Sequence, residues 1–151
     1  MDPFSITAGV ASLVTLCAQT ISTCRDILSG LQDAPRILSS IQSECSTTRE
    51  ALSLMFIFMN KSDTTALSHL SGDETLAQSF DIALTGCTVT LSALNNELQK
   101  ILEHHKRDGK PNLVQRAKYV WNEDSLKDAL DELRGQRDAL NLLATVVQRL
   151  V

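Results

Sequence analysis

Residues 74–108 read ETLAQSFDIALTGCTVTLSALNNELQKILEHHKRD, and within them Leu76, Phe80, Ala83, Cys87, Leu91, Leu94, Leu98 and Ile101 recur at steps of four and three. That period gathers the apolar side chains on one side of an α-helix and suits knobs-into-holes packing between neighbouring helices. The ends are punctuated too. Ser71-Gly72-Asp73-Glu74 has the spacing of a capping box, and Asp108-Gly109-Lys110-Pro111 supplies a glycine for the left-handed cap with a proline that blocks continuation.

The same period extends in both directions along the chain. Upstream, Asp2 can cap a helix whose Ile6, Val10, Leu13, Cys17, Ile21 and Leu28 form one face, from about Pro3 to about Leu31. Asp33-Ala34-Pro35 breaks and restarts the chain. A second helix carries Leu38, Ile41, Cys45, Thr48, Leu52, Met55 and Met59 and ends near Asn60-Lys61-Ser62-Asp63, and Thr64 to Leu70 reads as a helical turn or a loop. Downstream, Asn112 to Trp121 reads as a short helix and Asn122 as the next cap, with Glu123 and Asp124 as first-turn acids. The last helix aligns Leu126, Leu130, Leu133, Leu140, Val147 and Leu150, with Arg137 as the charged intruder in its seam. The expectation is an all-α, antiparallel bundle of four long helices plus one or two short ones, forming a single domain over residues 1–151.

Composition agrees. The 151 residues are 43% hydrophobic and 21% charged but only 4% aromatic, so the core is aliphatic; three prolines and six glycines are too few for a many-turned β-sandwich or barrel. A net charge of −4 argues against a nucleic-acid partner. Cys17, Cys24, Cys45 and Cys87 include no Cys-x-x-Cys and read as reduced core residues. The acid at Asp2, where a secretory signal would carry positive charge, points to a cytoplasmic protein.

Catalytic patterns fail on spacing, so no enzyme, cofactor, metal or small-molecule substrate is expected. The glycines form neither a phosphate loop nor a dinucleotide fingerprint. His104 and His105 are adjacent, about 100° apart on a helix, and cannot chelate one metal together. Asp124, Asp128, Asp131 and Glu132 alternate with Lys127 and Arg134, which reads as a solvated helix face.

Three features exceed what a bundle needs. Leu54-Met55-Phe56-Ile57-Phe58-Met59 is six consecutive apolar residues, more than one core-facing stripe uses, which makes Phe56 and Phe58 candidates for contact with a short helix, a partner or lipid. His104, His105, Lys106 and Arg107, with Lys110, suit the negative end of a helix dipole and would equally suit anionic headgroups. Between Asp2 and Arg25 lie 22 positions without a charge, at 1.5 Å per residue about 33 Å of helix, enough to cross a hydrocarbon core of about 30 Å. Its Ser, Thr and Gln residues make it only moderately apolar, so the resting place for this helix is inside the bundle.

The opener Met1-Asp2-Pro3-Phe4-Ser5-Ile6, the small-residue apolar helix after it, Asp33-Ala34-Pro35 with Glu44 and Leu52 downstream, and Trp121 ahead of a leucine-periodic last helix together resemble the HeLo-like N-terminal domain of fungal STAND proteins, which are NLR-like receptors. The resemblance covers nearly the whole chain. It implies an effector bundle at the N-terminus of a longer receptor, linked to programmed cell death, heterokaryon incompatibility and innate immunity. It further implies oligomerisation, relocation from cytoplasm to plasma membrane on activation, and membrane targeting by the first helix. Carried over to this chain, that role falls on Phe4, Ile6, Val10, Leu13, Val14, Leu16 and Ile21. A non-lytic bundle that only oligomerises or recruits a partner protein is the alternative.

Overall fold

The computed structural model describes residues 3–30, 36–61, 74–108 and 123–150, with side chains described for 6–30, 36–57, 74–103, 124–146 and Arg149. Four helices account for nearly all of it: α1 (Pro3–Ser29), α2 (Arg36–Lys61), α3 (Glu74–Asp108) and α4 (Glu123–Leu150). No strand occurs among the described residues. The boundaries follow the local chemistry. α2 begins directly after Pro35, α3 ends directly before Gly109, and Gly30 closes α1 through its N–H to the Ile27 carbonyl at 3.1 Å. The helical turn or loop expected over Thr64–Leu70, the short helix expected over Asn112–Trp121, and the caps expected at Asp2, Ser71 and Asn122 lie outside the described residues.

The expected seams are the core. Ile6, Val10, Leu13, Cys17 and Ile21 of α1, Leu38, Ile41, Cys45, Leu52 and Met55 of α2, the eight periodic residues of α3, and Leu126, Leu130, Leu133 and Leu140 of α4 are all buried. Leu28 packs against this core from its edge. A buried side chain of this size contributes about 1.5–3 kcal/mol through removal from water, and no aromatic cluster is needed to reach a full interior.

The neighbour order is not the order of the chain. α1 packs on α2 and α3, and α4 packs on α3 and α2, so α1 stands diagonally from α4. A Cβ at Gly9 would lie 3.6 Å from Leu84, while Thr23 lies against Asn95 and Gln99, so α1 and α3 advance in the same direction. Gln136 lies across Gly86 and Glu132 lies 3.5 Å from Thr90, so α3 and α4 run in opposite directions. On α2, Cys45 neighbours Cys17 and Cys24 of α1 and Arg49 neighbours Cys17. The segment of α2 beyond Arg49 therefore continues towards the start of α1.

A charge-poor half of the bundle

Four uncharged runs coincide in space. Residues 3–24 of α1, 51–60 of α2, 82–96 of α3 and 139–148 of α4 contain no Asp, Glu, Lys or Arg. The pairings Gly9 with Leu84 and Gly86 with Gln136 gather these runs into the half of the bundle where α1 and α3 begin. Most described charges lie in the other half, including Arg25, Asp26, Glu97, Lys100, Glu103, Asp124 and Lys127. Among the described residues, the large apolar side chains left exposed are Leu54, Ile57, Ile82, Val89, Leu142 and Val146. All six fall within these runs.

α1 turns two different faces outward and inward. The inward face holds Ile6, Val10, Leu13 and Ile21, all buried, with Val14 and Leu16 partly buried against the core. These are six of the seven residues expected to enter lipid; the side chain of Phe4 lies outside the described residues. The outward face is Ala8, Ala11, Ser12, Thr15, Gln19 and Ser22, uncharged throughout and small except at Gln19. Thr15, Thr20 and Thr23 donate their hydroxyls to the carbonyls of Ala11, Leu16 and Gln19 at 3.2, 2.8 and 2.9 Å. These bonds belong to the helix itself and survive any change of its surroundings. Thr23 also accepts from Gln99 Nε2 at 2.9 Å, a polar tie between α1 and α3.

α3 and α4 frame an open groove of roughly 640 Å³, lined chiefly by Ile82, Ala83, Gly86, Gly135, Leu142 and Leu143. Ile82 and Leu142 stand on its rims at 72% and 67% exposure. Sequence periodicity pointed to the buried seams and missed this surface. A signal was present: Ile82, Gly86, Val89 and Ala93 on α3, and Gly135, Ala139, Leu142 and Val146 on α4, repeat the four-three spacing on a second side of each helix.

Of the apolar run on α2, Met55 is buried, Phe56 is partly buried against the core, and Leu54 and Ile57 face outward. The side chains of Phe58, His104, His105, Lys106 and Arg107, and all of Lys110, lie outside the described residues. Asp124, Asp128, Asp131 and Glu132 of α4 are exposed, as a solvated face should be. Among the described residues no group of three His, Cys, Asp or Glu could hold a metal.

Arg137, the charged intruder in the α4 seam, meets buried Glu44 of α2, with Nη1 2.9 Å from Oε1. The four cysteines are free and buried. Burial pushes the thiols of Cys17, Cys24 and Cys87 up to about 12, and that of Cys45 higher still, because a thiolate would lose its hydration there.

No family model, curated protein or solved structure matches the chain.

Proposed function

We propose that this chain is a HeLo-like effector bundle of a fungal NLR-like receptor, which brings about cell death when oligomerisation releases its first helix into a membrane. The observation that carries the reading is α1 itself. Ile6–Ser29 is long and apolar enough to cross a bilayer, and one face of it, Ala8, Ala11, Ser12, Thr15, Gln19 and Ser22, is already exposed. The hydroxyls of Thr15, Thr20 and Thr23 are bonded to its own backbone, which lowers the penalty of moving them into hydrocarbon. The reading takes each helix as antiparallel to the one before it in the chain, with α1 and α3 side by side in the same direction and α1 packed at rest. Released, the Val10, Leu13, Leu16 and Ile21 side meets lipid while the small outward face pairs between copies. Anionic lipids and further copies of the chain are the partners, and the move is from cytoplasm to plasma membrane.

The outward face makes the test clean. A charge at Leu13 would damage the bundle and the membrane step alike, whereas Ala11→Lys or Thr15→Glu places it where the bundle leaves room. Near a bilayer centre each such charge costs about 2.5–3.5 kcal/mol. Wild type under forced oligomerisation should leak dye from anionic liposomes, and both variants should keep their far-ultraviolet circular dichroism yet lose leakage. If oligomerised wild type neither binds nor permeabilises such liposomes, the effector reading fails. The non-lytic adaptor then takes its place, a reading favoured by the burial of the apolar side of α1 in the core.

A further inference from the structure

We infer that two copies of this chain associate through α4, each laid antiparallel along the groove between α3 and α4 of the other. The order of side-chain sizes on the outward stripe of α4 carries the argument. Gly135, Ala139, Leu142 and Val146 run from small to large along the helix. Turned about a two-fold axis between residues 140 and 141, the stripe meets itself in reverse. Gly135 then opposes Val146 of the second copy, and Ala139 opposes Leu142, every small residue facing a large one. The stripe is its own complement, which is what a closed two-fold interface requires.

Charge fits the same register. No charge lies between Ala139 and Gln148, so the centre of the pairing brings no like charges together. One turn outward, exposed Arg149 comes opposite exposed Glu132 of the second copy. Asp138 is drawn towards Arg137, with Oδ1 3.5 Å from Nη2, on the side that faces α2.

Gly135 supplies the remaining point. Glycine disfavours a helix interior, yet a Cβ at this position would meet nothing within 4 Å among the described residues, so none of them requires its absence. A second helix crossing here does require it, because bare backbone allows close approach. A charged peptide is the poorer occupant, since Glu132 is the one ionisable residue in the groove lining among the described residues.

The association is independent of the membrane reading: a dimer upholds it whether or not dye leaks, and only forced oligomers that neither bind nor permeabilise liposomes count against that reading. Sedimentation equilibrium over a concentration series tests it. Wild type should dimerise reversibly, and Leu142→Glu should remain monomeric with unchanged helix content, because Leu142 is exposed. Glu132→Arg and Arg149→Glu should each weaken the dimer about tenfold, and the two together should restore it. Wild type that stays monomeric throughout overturns the proposal, as does a dimer indifferent to Leu142→Glu. Failure of the double reversal to restore association overturns the register.

Discussion

Arg137 of α4 and Glu44 of α2 meet at 2.9 Å, and Arg134 Nε approaches the same carboxylate at 3.5 Å, so one buried acid links two helices through two guanidinium groups. Among the described residues neither Glu44 Oε1 nor Arg137 Nε has a hydrogen-bond partner, which leaves the link resting on charge attraction in a partly dried site. Truncating the acid strands the guanidinium of Arg137. Glu44→Ala should destabilise by about 1–3 kcal/mol, below the full cost of breaking a wholly buried pair because both arginines reach water. Arg134→Ala should cost less than about 1 kcal/mol. A Glu44→Leu, Arg137→Leu double variant should recover most of the loss, all read from urea unfolding at pH 7.

Packing divides the leucines and isoleucines into two classes. Leu94 and Leu133 are fully buried, and replacing either by alanine should cost about 2–5 kcal/mol. Ile82→Ala, at an exposed site, should stay within about 0.5 kcal/mol. Equal losses at Leu94 and Ile82 would contradict the assignment of seams.

The thiols set an alkaline limit. Their folded values, near 12 for Cys17, Cys24 and Cys87, exceed the ordinary value of 9.0, so folding favours the protonated form. Their contribution is complete below about pH 9 and is lost as pH rises from there towards 12. Stability should therefore fall above pH 9. At pH 8 native protein should resist iodoacetamide until unfolded, and neither reductant nor chelator should shift the melting temperature.

Thr23 ties the end of α1 to α3, with Gln99 Nε2 donating at 2.9 Å. Thr23→Val keeps the shape, removes the acceptor and should cost about 1 kcal/mol. Amide exchange in α1 should quicken more than in α4, which stands diagonally across the bundle. Uniform acceleration would mean that α1 does not open as a separate unit.

The sequence displayed its helices because their ends carry local chemistry. Pro35, Gly109 and Asn122 punctuate the chain whatever packs nearby, and each stripe of Leu, Ile, Val and Cys marks its own inward side. Neighbour order was illegible for the converse reason: a four-three stripe states that a helix has a partner without saying which. That α1 and α3 lie side by side in the same direction emerges only from contacts such as Gly9 with Leu84. Arg137 announced itself as an intruder, but an ion pair between helices has no fixed spacing, so nothing in the chain named Glu44 as its counterpart. Ile82 and Leu142 were passed over because a second apolar stripe on a helix can be either core or surface, and only the completed bundle distinguishes the two.

The separation of charged and uncharged halves makes this bundle behave as a surfactant does. Most charged groups gather towards one end of the rod, and Leu54, Ile57, Ile82, Val89, Leu142 and Val146 stand bare towards the other, where Glu74, Asp81 and Arg149 are the exposed charges among the described side chains. Such a body has a preferred orientation at any boundary between oil and water, and it adopts that orientation without unfolding. First contact with an apolar phase and the opening of the bundle are therefore separable events: the folded protein should be retained on a mildly hydrophobic column under conditions where α1 stays packed and its amides stay protected.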